Sequence, residues 1–138
     1  MRLTAAALAF LAIPVLTHAD STIPVGTWKA VKYISATETS QSDAYIKRFL
    51  NKKLVVTQTS IRFAGDRCKI QSQQELKTDE EATQFFLKEK IDYSALGIHA
   101  PVAYVDADCS FIVVGSAGEV LFNWDGNTYL MRRVEKRN

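Results

Sequence analysis

Residues Glu119–Val134 read EVLFNWDGNTYLMRRV, two runs rich in β-branched and aromatic residues separated by Asp125-Gly126. A two-residue Asp-Gly loop between such runs signals a β-hairpin, because its turn needs positive φ and its twist matches that of the strands. The loop fixes the pairing: Trp124 opposes Asn127 and Phe122 opposes Tyr129. Side chains alternate faces along a strand, so Val120, Phe122, Trp124, Tyr129 and Met131 share one face, which must be buried. The same register turns Arg133 inward.

Upstream of the hairpin the strand pattern continues. Val102–Cys109 and Ser110–Gly115 read as strands, and Gly115 to Gly118 turns the second of them back. Val25–Ile34 is another, with Trp28, Ala30 and Ile34 on one face and Lys29, Val31 and Tyr33 on the other. Lys53–Gln58 and Ser60–Phe63 flank a tight polar turn. Gly65-Asp66 leads into Arg67–Gln74, where Cys68 and Ile70 share a face.

Two helices interrupt the strands. Ser40-Gln41-Ser42-Asp43 has capping-box spacing and predicts a helix over Asp43–Leu50, with Tyr45, Ile46, Phe49 and Leu50 on one side and Asn51 left-handed at its end. Thr78 caps a second helix running to about Lys90, with Glu81 able to bond back and three acids at the positive end of its dipole. It should bury Ala82, Phe85 and Phe86. Leu96-Gly97 reads as a turn. Seven or eight strands, two short helices and few long loops predict a mainly β domain. Its economical form is a closed or nearly closed antiparallel barrel, since closure removes exposed edges.

The start of the chain predicts where that barrel works. Met1-Arg2 precedes an apolar run over Leu3–Leu16, and Thr17-His18-Ala19 offers small residues for cleavage, the layout of a secretory signal peptide. The run is too short, and too interrupted by Pro14, to span a bilayer. The expectation is a leader over residues 1–19, cleavage near Ala19-Asp20, and one domain over residues 20–138 that is periplasmic or secreted. No second apolar run exists, so no membrane span is expected.

Without the leader and its Arg2, 16 Lys and Arg face 15 Asp and Glu, a net charge of +1. So even a balance argues against an electrostatic polyanion binder and against a nucleic-acid partner. The basic tail, Arg132-Arg133 and Lys136-Arg137, reads as a solvated terminus. Two cysteines in an exported chain favour a Cys68–Cys109 disulfide, worth about 4 kcal/mol on the loop-entropy model. Zinc would need two further ligands, and the mature chain holds one histidine, His99. No metal is expected.

Gly26-Thr27-Trp28 resembles the Gly-x-Trp signature that opens lipocalin and other calycin barrels, and Trp124-Asp125-Gly126 resembles a turn that such small secreted proteins carry before a final aromatic strand. The resemblance implies a small antiparallel lipocalin-like barrel with Trp28 at its closed end and an Arg from the last strand packed across the indole. The inward Arg133 fits that role. A Thr-Asp-Tyr turn is absent and a helix follows Gln74, departures that count against a deep cavity. The likeness implies a binding or inhibitory scaffold.

Catalytic sets do not assemble from this sequence. His99 lies in a loop before a strand, and Gly115-Ser116-Ala117-Gly118 lacks the spacing of a nucleophile elbow. Asp106 and Asp108 fall on one strand face, too few for calcium, and read as a solvent-facing stripe beside Val105, Ala107 and Cys109. No dinucleotide or phosphate-cradling motif appears, so no cofactor is expected. The expected function is non-enzymatic: binding of a small apolar or amphipathic ligand at a barrel mouth formed by Tyr45, Phe49 and His99, with Tyr104 on a neighbouring face. The alternative is a periplasmic inhibitor or immunity protein whose target enzyme is blocked by a projecting loop, with candidates at Gly115–Gly118, Asp125–Asn127 and Ser35–Ser42.

Overall fold

A computed structural model describes residues 23–36, 41–91 and 96–136. The expected leader and Ser40 of the expected cap lie outside them. Eight antiparallel strands close into a barrel in sequence order, with the last pairing to the first. They are β1 (Gly26–Ala36), β2 (Lys53–Val56), β3 (Ser60–Phe63), β4 (Asp66–Leu76), β5 (Val102–Ala107), β6 (Phe111–Val114), β7 (Val120–Trp124) and β8 (Asn127–Arg133). Helix α1 (Asp43–Lys47) joins β1 to β2, and α2 (Asp79–Phe86) joins β4 to β5.

The β7–β8 hairpin has the register that Asp125-Gly126 dictates, with Trp124 opposite Asn127 and Phe122 opposite Tyr129. Both loop residues take positive φ, 50° at Asp125 and 79° at Gly126. Its inward side chains meet those of the other strands in one apolar interior that includes Trp28, Leu54, Ile61, Phe63, Val105, Ile112, Phe122 and Tyr129. Cys68 and Cys109 form a disulfide with Cα atoms 5.7 Å apart, tying β4 to the β5–β6 turn. Cys109 itself is exposed, at that turn rather than on a strand face.

Strict alternation along β1 fails. Register shifts occur between Ala30 and Lys32 and between Tyr33 and Ser35. Each bulge inserts a residue and flips the faces after it. Tyr33, expected outside, therefore packs inward against Tyr129, with ring centroids 5.9 Å apart. Ile34, expected inside, packs against a second cluster outside the barrel.

That second cluster belongs to α2. Thr78 Oγ1 accepts the Glu81 N–H at 3.1 Å, and the Glu81 carboxylate accepts the Lys77 N–H at 2.8 Å. The helix so started is shorter than expected. It tightens to a 3-10 turn over Leu87–Glu89 and stops at Lys90, which is left-handed. Ala82 and Phe86 lie fully buried against the outward side chains Val102, Phe111, Val113 and Leu121, with Leu130 packed at the margin. The β5–β8 wall is thus apolar on both sides.

Helix α1 also ends early, at Lys47 rather than Leu50. Ser42 caps it by accepting the Tyr45 N–H at 3.2 Å, and Asn51 is left-handed with φ of 66°.

Candidate functional site

Helix α1 lies across the barrel end where the β3–β4, β5–β6 and β7–β8 turns gather. Phe49, which follows it, is 4% exposed and reaches into the interior, with ring centroids 5.9 Å from Phe63 and 6.4 Å from Tyr129. The column continues through Phe63 to Phe122 and Trp124 at 4.9 and 5.2 Å. Among the described residues one contiguous cluster of buried side chains occupies the barrel interior. Hollowing it for a ligand would sacrifice about 1.5–3 kcal/mol for each side chain displaced.

Polar contacts latch α1 to one side of the rim. The Tyr45 hydroxyl donates to the Asp125 carboxylate. The Gln41 amide donates to Asp125 O at 3.2 Å and accepts from the Asn127 amide. The Tyr129 hydroxyl donates to Ile46 O at 2.8 Å. Both phenols are held in the neutral form, for different reasons. The Tyr45 pKa is raised, chiefly by its bond to Asp125 and then by burial. That of Tyr129 is pushed up to about 12, by burial first and then by its neighbours Tyr33, Tyr45 and Asp125.

Beside this latch, with Tyr45 and Asp125 in its lining, lies an open cleft of about 370 Å³. Tyr45, Arg48 and Phe49 form one wall, while Ala64, Asp66, Cys109, Trp124 and Asp125 complete it. The Arg48 guanidinium lies 5.5 Å from the Tyr45 ring centroid and 5.1 Å from that of Phe49. Aromatic faces, one cation and two carboxylates therefore converge on a single solvent-open space.

Of the expected mouth residues, Tyr45 and Phe49 are at this cleft and His99 is not. His99 Nδ1 instead faces Asp79 Oδ2 at 3.9 Å, beside the first turn of α2. The distance exceeds a hydrogen bond, and the two side chains are 70% and 61% exposed. Tyr104 lies on the outer wall under α2, with ring centroids 4.7 Å from Phe85 and 5.2 Å from Phe111. Burial, followed by the charges of Asp106 and Glu89, lifts its pKa to about 12. Sequence does not separate His99 from the mouth or Tyr104 from an open strand face, because both placements depend on which layer α2 covers. Arg48, Asp66, Trp124 and Asp125 were missed as cleft residues. Their shared signal is position at the turns of one barrel end.

At the opposite end Arg133 pairs with Trp28 in the ladder and lies over its ring, 5.0 Å from the centroid. It also donates to Val25 O at 2.8 Å, while the Trp28 indole N–H donates to Pro24 O at 2.8 Å. A Cβ at Gly26 would come within 3.3 Å of this guanidinium, so glycine gives the cation room. Asp108 sits beside the disulfide and accepts the Lys69 N–H at 3.1 Å. The sulfurs there are bonded to each other and are not free as thiolate ligands.

The fold and its rim define a small, filled, disulfide-bonded eight-stranded antiparallel barrel. Its sequence matches no protein-family model, no curated protein and no solved structure.

Proposed function

We propose that the chain is an exported, non-enzymatic binding protein of lipocalin-like kind, which holds a small amphipathic ligand in the cleft beside α1. The observation that carries this reading is the composition of the cleft. Aromatic walls suit an apolar body, and Arg48, Asp66 and Asp125 suit a polar end. The filled interior favours a ligand at the rim over one in a deep cavity. The Gly26, Trp28 and Arg133 cluster at the far end supports the calycin likeness.

Native mass spectrometry of protein purified from its export compartment tests this. A small molecule should be retained by the wild type and lost in the Arg48→Gln/Trp124→Leu variant. A bare wild-type chain that also fails to bind an amphipathic dye at the cleft would refute it. The filled interior also suits the alternative, an inhibitor or immunity protein. Against that reading, Gly115–Gly118 and Asp125–Asn127 are tight turns with little to project, and residues 37–40 of the third candidate loop lie outside those described. The same spectra would then show a stoichiometric protein partner.

A further inference from the structure

We propose that the outer wall of β1–β4 is a docking surface for an anionic polysaccharide chain. The near-neutral total conceals a segregation of charge. Residues 29–69 hold nine Lys and Arg against three Asp and Glu, whereas residues 70–126 hold three against ten. The fold places six of those nine, Lys29, Lys32, Lys53, Arg62, Arg67 and Lys69, on β1–β4, whereas Lys47 and Arg48 go with α1 at the barrel end and Lys52 precedes β2.

The ladder shows how tightly that charge is concentrated. Lys29 is directly opposite both Lys53 of β2 and Arg132 of β8, and Arg62 of β3 is directly opposite Arg67 of β4. Directly opposed side chains on one face have Cβ atoms about 5 Å apart, and like charges there destabilise a sheet. Among the described residues, none of Lys29, Lys53, Arg62, Arg67, Lys69 and Arg132 is in an ion pair. Edge protection, the usual structural use of exposed lysine on strands, has no place in a barrel without edges. Unneutralised repulsion on a closed wall is relieved by an anionic partner.

The wall is also shaped. One hollow of about 280 Å³ is lined by Lys53, Arg62 and Arg67 together with Asp66. A second, of about 400 Å³, is lined by Arg67, Lys69 and the hydroxyl residues Thr59 and Ser60, with Asp108 at its edge. Arg67 belongs to both, so an extended chain can place successive anionic groups in adjoining hollows. Its chemistry follows from what the wall lacks. The one ring among the hollow linings, Phe63, is 2% exposed and turned into the barrel core, so no exposed ring is offered for base stacking or as an aromatic anchor for a protein. Among the described residues the exposed large hydrophobics are Leu87, just past α2 and away from this wall, and Val25, a single side chain before β1, which together give no continuous apolar anchor for a membrane. A hydrated chain bearing sulfate or carboxylate groups, with hydroxyls for Thr59 and Ser60, fits these features.

Equilibrium binding to heparin, a sulfated polysaccharide used as the probe, across a series of salt concentrations tests the proposal. Wild-type affinity should fall linearly on logarithmic axes as salt rises, and Lys53→Gln/Arg62→Gln/Arg67→Gln should weaken it by at least about tenfold with a shallower salt slope. The control Lys47→Gln/Lys77→Gln/Lys90→Gln removes the same charge away from the wall and should stay within about twofold. The proposal falls if the wild type does not bind at physiological salt or if the control loses as much as the wall variant. It also falls if duplex DNA or phosphatidylglycerol vesicles bind as tightly as heparin. Melting temperatures of both variants show that each is folded.

Discussion

The two halves of the barrel wall follow different rules. In β2 and β3, inward residues are buried and the outward Lys53, Val55 and Arg62 meet water. In β6 and β7, Phe111, Ile112 and Val113, then Val120 through Asn123, are buried whichever way they point. The cause is α2, which folds back from the end of β4 to cover the strands that follow it. Burial on both faces therefore marks the covered wall, and outward side chains that meet water, as at Lys53, Arg62, Arg67 and Lys69, mark the wall left bare.

That contrast breaks most visibly if the cover is removed. Phe86 is fully buried between α2 and the outer wall. Phe86→Ala should cost about 3–5 kcal/mol, the usual loss for a large aromatic removed from a core. Val55→Ala, at an outward site on the bare wall, should cost less than about 1 kcal/mol. Chemical denaturation measures both. Equal losses would mean that α2 contributes no core of its own.

The disulfide comes next in expected effect. It ties the last strand of the bare half, β4, to the β5–β6 turn of the covered half, across a sequence separation of 41 residues. Cys68→Ala/Cys109→Ala should lower stability by about 2–4 kcal/mol while leaving the far-ultraviolet circular dichroism spectrum unchanged. Hydrogen exchange should accelerate most along β4, where the ladder to β5 already carries a register shift. Uniform acceleration would show that the bridge does not act at the seam.

A third effect is confined to alkaline solution and has a reporter in each core, Tyr129 inside the barrel and Tyr104 under α2. Both have native pKa values near 12 against an ordinary 10.0. A raised native value means that folding favours the neutral phenol. The associated stability is complete below about pH 10 and disappears as pH climbs towards 12. Phenolate absorbance should show two late-ionising tyrosines, and the melting temperature should fall across the same interval. Tyr104→Phe should remove one late step without disturbing the latch from Tyr129 to Ile46.

Local sequence carried much of this architecture. Asp125-Gly126 specifies a turn whose register follows by counting, and that counting turns Arg133 inward. Ser42 and Thr78 specify helix starts through their own side chains, and the paired cysteines follow from the expected compartment. What stayed hidden depends on distant partners. The amphipathic pattern of α2 says that Phe86 is buried, but not whether the barrel lies on its inner or outer side. Hence the sequence alone points Tyr104 to an open face and His99 to the mouth. The β1 bulges that exchange Tyr33 and Ile34 arise from matching β1 to β8, a constraint absent from either strand alone. The cleft was half legible. Tyr45 and Phe49 share a helix face, whereas Arg48, Asp66, Trp124 and Asp125 meet only when the turns converge.

The basic wall was hidden for the same reason, because composition sums charges that the ladder separates. It also supplies the smallest and most discriminating prediction. Lys29 lies directly between Lys53 and Arg132, so Lys29→Glu converts two opposed repulsions into attractions. The gain should be about 0.2–1 kcal/mol for each pair, visible as a small rise in melting temperature that shrinks with added salt. Heparin affinity should fall in the same protein. Opposite movement of stability and binding is the mark of a surface whose charge serves recognition at a cost to the fold. A variant that melts no higher than the wild type would show that the lysines already splay apart. One that melts higher and binds heparin unchanged would leave the repulsion real and the docking surface elsewhere.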